Sequence, residues 1–248
     1  MDRFGPIRVL VVDDDPGVAT LIGDFLTRDS ERFDVRTVTD PEEALETART
    51  DPPDCVVSDY DMPRIDGLEL LEMLREEFPN LPFILFTGKD TETVGPIALE
   101  RGVSRYLQKG SGTAHFALLA SDITGSVETM ETVTKLQRQV EAAESAPEGI
   151  CIVDEDGEIE YVNDLFLEMH GYDREALIGR SWEVLHPDEE VARVYREVLP
   201  TLSAAGQWDG EATGQRRSGE TFEESETIRD LPSGGFVIFA SQAEGNTA

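Results

Sequence analysis

Residues 56–71, VVSDYDMPRIDGLELL, set an aspartate at the end of an apolar run and just ahead of an amphipathic one. Cys55, Val56 and Val57 read as a short buried strand ending at Asp59. A helix opens at Asp66-Gly67, with Leu68, Leu70, Leu71 and Leu74 as its apolar residues. A carboxylate at the C-terminal end of a parallel strand stands where open α/β sheets place their chemistry.

Working outward, Ile7 to Val12 is a run of mostly β-branched residues, the composition of a central parallel strand. It ends in Asp13-Asp14-Asp15-Pro16, and Pro16 suits the first turn of the helix that follows. Phe33 to Val38 reads as a second strand, and Asp40-Pro41 caps and starts a second helix. Phe83 to Phe86 is a fourth strand ending at Thr87-Gly88. A helix over about 91–100 and a short strand, Ser104 to Leu107, end at Lys109-Gly110. Strands alternating with helices at these spacings predict a doubly wound, five-stranded parallel sheet with right-handed crossovers.

Four of these strands end in polar residues that one crevice would share: Asp13 and Asp14, Asp59, Thr87, and Lys109. Clustered carboxylates repel unless a divalent cation neutralises them, and hard oxygen ligands suit Mg²⁺. A carboxylate nucleophile beside a bound cation can accept a phosphoryl group, whose remaining oxygens a lysine and a hydroxyl can hold. The expected product is an aspartyl phosphate.

The motifs VLVVDDDP, VVSDYDMPRIDG, ILFTG and RYLQKG resemble the response-regulator receiver domain of two-component signalling, over about residues 5–125. The resemblance implies a flavodoxin-like fold, with Asp59 as the phosphoacceptor and a histidine kinase as the donor. It implies Asp13, Asp14, Asp59 and the backbone carbonyl of Asp61 around Mg²⁺, Thr87 and Lys109 on the phosphoryl group, and Thr87 with Tyr106 as a switch pair. Such a domain catalyses its own phosphotransfer and dephosphorylation. Two residues depart from the family pattern. Gly110 follows the lysine where proline is usual. Asp61 puts a carboxylate near the acceptor, with a predicted effect on phosphate lifetime; equal decay of wild type and Asp61→Ala would remove that idea.

From about Gly112 to Ala143 no proline interrupts and helix formers dominate. Val133, Leu136, Val140 and Ala143 keep a 3-4-3 spacing. Two readings stay open, an amphipathic helix packed on its own domain and a helix continuing into a parallel dimer linker. The expected organisation is 1–125 for the sheet domain, 126–145 for the linker, 146–242 for a second domain and 243–248 for a tail.

The second half reads as ββαααβββ, a small α+β domain. EGICIVDEDGEIEYVN, HGYDREALIGRSWEVLHPDE and GGFVIFAS resemble a PAS domain over about 146–242. That implies a five-stranded antiparallel sheet flanked by helices, working as a sensor or dimerisation module whose ligand does not follow. The helical region from Asn163 to Gly179 lacks the cysteine of flavin-adduct PAS domains. His170 and His186 are haem ligands only by residue type, and His186 sits in the HPD/E turn that fixes local structure in the family.

Charge bounds the partners. There are 52 Asp and Glu against 21 Lys and Arg, a formal charge of −31 over 248 residues, spread along both halves. Lys89, Lys109 and Lys135 are the only lysines. Self-repulsion of this size is relieved when molar salt shortens the screening length from about 8 Å to about 3 Å. The composition therefore predicts a high-salt cytoplasm, and equal stability in dilute buffer and molar KCl would contradict it. Arg216-Arg217 alone makes no basic footprint, so nucleic acid is not an expected partner. No apolar run approaches the roughly 20 residues of a membrane span, and MDRFGPIRVL enters a strand without a signal-peptide core. Cys55 and Cys151 are expected to be buried free thiols. The leading expectation is a cytoplasmic response regulator. A receiver-PAS fragment of a hybrid sensor kinase and an interaction protein without DNA-binding output are the alternatives.

Overall fold

The computed structural model describes residues 5–88, 91–110 and 112–242, with the backbone alone for Asp29 and residues 91–94. The expected tail at 243–248 and the first four residues of the first domain lie outside the described residues. The chain divides into two compact units, Met1–Leu136 and Gln137–Ala248.

In the first unit, β1 (Ile7–Val12), β2 (Phe33–Val38), β3 (Cys55–Ser58), β4 (Phe83–Thr87) and β5 (Arg105–Gln108) form one parallel sheet. Its order is β2-β1-β3-β4-β5. The helices are α1 (Pro16–Asp29), α2 (Pro41–Thr50), α3 (Gly67–Glu77), α4 (Thr91–Glu100) and the start of α5 (Thr113–Glu144). Successive strand residues point to opposite faces, so β1 feeds two cores. Ile7, Val9 and Val11 pack with Ile22, Leu26, Leu119 and Ile123. Leu10 and Val12 pack with Ala44, Leu68, Leu71 and Leu74. Each fully buried Leu, Ile or Val adds roughly 1.5–3 kcal/mol of transfer free energy, which makes the sheet the rigid base of its C-terminal edge. The doubly wound expectation holds.

The second unit is built on β6 (Gly149–Val153), β7 (Ile159–Val162), β8 (Gln207–Gln215), β9 (Thr221–Asp230) and β10 (Phe236–Gln242). They pair antiparallel in the order β7-β6-β10-β9-β8. Short helices α6 (Asp164–His170) and α7 (Arg174–Leu177) lie between β7 and β8, followed by α8 (Asp188–Arg193) and α9 (Leu199–Ala205). Residues 188–202 read in sequence as one long helix, but in the structure a π-turn at Val194–Val198 interrupts it. Pro200 has no N–H to donate back along the helix, which accounts for the altered register beside it. Phe166, Leu177, Trp182, Leu185, Val198 and Ile238 fill one core. Cys55 and Cys151 are buried and unbridged.

α5 runs unbroken from Thr113 to Glu144. Leu119, Ile123 and Val127 are buried in the first unit, whereas Val133, Leu136 and Val140 are exposed. Its C-terminal turn is tied into the second unit: Asn163 Nδ2 donates to the carbonyls of Ala143 and Glu148 at 3.0 and 2.9 Å.

Candidate functional site

The register of the parallel sheet decides which residues meet. Val12 pairs with Ser58 and Val38, so Asp13 and Asp59 emerge together. The Asp59 N–H donates to the Val12 carbonyl at 2.8 Å, and the Lys109 N–H to the Thr87 carbonyl at 2.7 Å. The strand order reverses direction at β1 and β3, the crevice where such sheets bind ligands.

Asp13 and Asp59 are buried and Asp14 is exposed, and one carboxylate oxygen from each lies within 4.8 Å of the others. Lys109 Nζ is 2.6 Å from Asp13 Oδ2 and 3.1 Å from Asp59 Oδ1. The second contact has ion-pair distance without hydrogen-bond geometry, since Asp59 Oδ1 has no hydrogen-bond partner. Asp13 Oδ1 also accepts the Asp15 N–H at 3.1 Å. Burial pushes the Asp13 carboxyl above its ordinary range, while Lys109 pulls it back. An all-oxygen set with an unpartnered buried oxygen fits a hard divalent ion such as Mg²⁺.

The loop after Asp59 is shaped by local chemistry. Arg64 adopts a left-handed φ of 71°, rare for a residue with a side chain. Met62 is buried beneath the loop. Asp66 accepts from the N–H groups of Leu68 and Glu69, and Glu69 answers with its carboxylate on the Asp66 N–H, a complete capping box. A Cβ at Gly67 would overlap the Asp59 carbonyl and Leu85, so only glycine lets α3 start this close to the end of β3.

Thr87 is buried at the end of β4, and Tyr106 is half-buried on β5 opposite Leu85. Asp61 is exposed. The geometry thus brings Asp13, Asp14, Asp59 and Lys109 into one group, with Thr87 and Tyr106 on the adjacent strands. His115 was not singled out by sequence: its imidazole occupies the space a Cβ at Gly110 would need. Glycine in place of the family's proline was the clue.

Residues 9–120 match the family described as the response regulator receiver domain, and residues 147–241 match the PAS domain family. The chain is a receiver domain followed by a PAS domain. The receiver is 38% identical over 102 residues to the alkaline phosphatase synthesis transcriptional regulatory protein PhoP of Bacillus subtilis, covering 41% of this chain and 42% of that protein. It is 40% identical over 103 residues to hybrid signal transduction histidine kinase D of Dictyostelium discoideum, covering 41% of this chain and 6% of that one. The chain therefore spans less than half the length of these curated relatives. Among solved structures, a receiver domain protein from Clostridium thermocellum aligns with TM-score 0.47 and 22% identity, over 51% of this chain and 98% of that chain. A PAS domain from Colwellia psychrerythraea aligns with TM-score 0.41 and 20% identity, over 43% and 95%.

The PAS domain holds a second buried polar group that the sequence did not announce. His170, His186, Glu224 and Glu226 are all buried. Burial pushes the Glu226 carboxyl well above the usual carboxylate range, and neighbouring Glu224 and Glu190 push the same way. Burial lowers the pKa of the His186 imidazole, against the pull of the Thr213 carbonyl and Glu224. No described helix is long and apolar enough to cross a membrane.

Proposed function

We propose that the chain is a two-component response regulator whose receiver domain takes a phosphoryl group from a histidine kinase onto Asp59. The observation that carries this is the convergence of three carboxylates and Lys109 at one sheet edge. A carboxylate oxygen of Asp59 bonds to phosphorus as the P–N bond of the donor phosphohistidine breaks, leaving the donor histidine neutral after protonation. Asp13, Asp14, Asp59 and the Asp61 carbonyl would hold Mg²⁺, which supplies neutralisation of the charge on the transferring group. Lys109 exchanges its carboxylate partners for a phosphoryl oxygen, and the Thr87 hydroxyl supports a second one. Tyr106 on the neighbouring strand follows Thr87 as the switch.

The change is passed along α5 to the PAS domain, a sensor or interaction module. The anchoring of the helix end by Asn163 supports that route, and the exposed Val133, Leu136 and Val140 support a dimer formed along the same helix. A monomer by light scattering, with and without phosphorylation, would remove the dimer from this reading. The reading places the protein in the cytoplasm with its kinase, without nucleic acid as a partner. Because the receiver also resembles that of a hybrid histidine kinase, a receiver-PAS segment of such a kinase is the second reading. Intact mass after incubation with acetyl phosphate and Mg²⁺ tests the acceptor. Wild type should gain one phosphoryl group and Asp59→Ala none; an unmodified wild type, beside a receiver that labels, would defeat the proposal.

A further inference from the structure

β9 breaks the expected pattern of a half-buried strand. Phe222, Glu224, Glu226 and Ile228 share its inward face, so two glutamates stand where apolar residues belong. Glu224 is wholly buried, and neither carboxylate oxygen has a hydrogen-bond partner. A buried carboxylate left in that condition costs several kcal/mol, so a compensating charge must come from somewhere. Arg193 does not supply it to Glu224 directly: its guanidinium is engaged by Glu190 at 2.5 Å and by the Glu211 carbonyl at 2.9 Å.

The groups that do face Glu224 are imidazoles. His170 Nε2 is 3.6 Å from Oε2, and His186 Nδ1 is 4.0 Å from Oε1. Each ring is anchored through Nδ1 to a backbone carbonyl, that of Phe166 at 3.3 Å and that of Thr213 at 3.0 Å. A carbonyl only accepts, so each Nδ1 carries a hydrogen, and in the neutral tautomer Nε2 is the nitrogen that offers a lone pair. At His170 that lone pair confronts the Glu224 carboxylate, and Nε2 has no hydrogen-bond partner. A positive charge between them, a metal ion or a proton, would satisfy both. An Nδ1–H tied to a carbonyl with Nε2 left available, as at His170, is also how proteins orient metal-ligating histidines; at His186 the nitrogen nearest Glu224 is the Nδ1 held by Thr213, so that ring must turn to present Nε2.

We propose that His170, His186, Glu224 and Glu226 form a binding site for one divalent transition-metal cation of the zinc class inside the PAS domain. A ligand atom from each of His186, Glu224 and Glu226 lies within 4.8 Å of the others, and His170 faces the same carboxylate. Ligands at zinc's bond lengths sit about 3.3 Å apart in a tetrahedron. The His170–Glu224 gap of 3.6 Å is close to that spacing, and side-chain rotation can shorten the wider ones. With two carboxylates and two imidazoles binding it in their deprotonated forms, one divalent ion brings the group to zero charge, which suits a site this deeply buried. Mixed nitrogen and oxygen donors select Zn²⁺, Co²⁺ or Ni²⁺ over Mg²⁺, which takes oxygen ligands. The receiver acids and this group would therefore draw different ions. Nothing in the proposal depends on Asp59 being phosphorylated.

The test is a Co²⁺ titration of the metal-stripped full chain in excess Mg²⁺, which occupies the receiver acids. One equivalent of Co²⁺ should develop visible absorption bands of a nitrogen-containing, low-symmetry site, and Zn²⁺ should abolish them. His170→Gln and Glu224→Gln, each checked for fold by circular dichroism, should weaken binding by about 10-fold or more. His115→Gln should leave the bands unchanged. A wild-type spectrum no different from aqueous Co²⁺ would overturn the proposal whatever the variants do, and would leave a proton as the bridging charge. Bands that survive in both His170→Gln and His186→Gln would overturn it as well.

Discussion

Asp13 of the receiver domain and Glu224 of the PAS domain are both buried carboxylates, 2% and 0% exposed, but their surroundings answer them differently. Asp13 has a lysine at 2.6 Å and a backbone N–H at 3.1 Å. Glu224 has two imidazole rings at 3.6 and 4.0 Å and no hydrogen bond. The first cluster carries a cation of its own and opens at a sheet edge, where a phosphoryl group can approach. The second is closed in the core, with all four side chains buried. Position in the fold and built-in compensation, more than acidity, separate the proposed reaction site from the proposed internal binding site.

Removing the compensation should have the largest effect. Lys109→Ala leaves Asp13 and Asp59 facing each other without a cation, and breaking a buried pair in this way costs about 3 kcal/mol. Added Mg²⁺ should recover most of that loss. Burial already holds the Asp13 carboxyl above its ordinary range against the pull of Lys109. Without the lysine its folded value rises further, so the folded state binds the proton more tightly than the unfolded one. Stability of the variant should then climb as pH falls through that window and decline as pH rises through it. Urea unfolding followed by far-ultraviolet circular dichroism, with and without Mg²⁺, measures both effects. A variant as stable as wild type in Mg²⁺-free buffer would erase the contrast with Glu224.

The matching substitution in the PAS domain should act with the opposite sign and a smaller size. Glu224→Gln removes the charge and offers an amide donor to His170 Nε2. In metal-free protein it should stabilise the PAS domain by about 1–2 kcal/mol. Both tryptophans, Trp182 and Trp208, lie in that domain, so intrinsic fluorescence follows its unfolding separately from the receiver's. Destabilisation of the metal-free protein would mean that Glu224 already has a compensating partner.

The same two clusters show what could be read from the chain alone. In the receiver domain Asp13 follows VLVV and Thr87 follows ILF, so there local pattern and position at the sheet edge coincide. The PAS cluster has no such marker. In FEESETI the inward Glu224 and Glu226 alternate with outward Glu223, Ser225 and Thr227, and both faces look polar. Its histidines come from α6 and the turn before α8, and only the packing of those segments over β9 unites them. The π-turn was similarly hidden, because residues 188–202 read as one continuous helix despite Pro200. The steric fit of His115 against Gly110 depends on where α5 begins, which spacing does not reveal.

Glu144 tests whether compensation, and not the domain, makes the difference. It lies at the end of α5 and within the PAS unit, yet it is served by donors as Asp13 is. Tyr161 Oη donates to it at 2.8 Å, the Asp164 N–H at 2.9 Å, and Arg174 at 3.2 Å. Tyr161→Phe deletes one neutral donor and leaves the others, so it should cost about 1 kcal/mol. Burial, then the hydrogen bond to Glu144 and its charge, push the Tyr161 phenol up from 10 to about 12. The folded state thus keeps the phenolic proton where the unfolded state loses it. This contribution is fully present below pH 10 and is lost as pH rises towards about 12. Wild type and Tyr161→Phe should accordingly converge in stability across that alkaline interval when followed by tryptophan fluorescence. Curves that stay parallel through it would show that Glu144 draws its compensation from Arg174 and the backbone without the phenol.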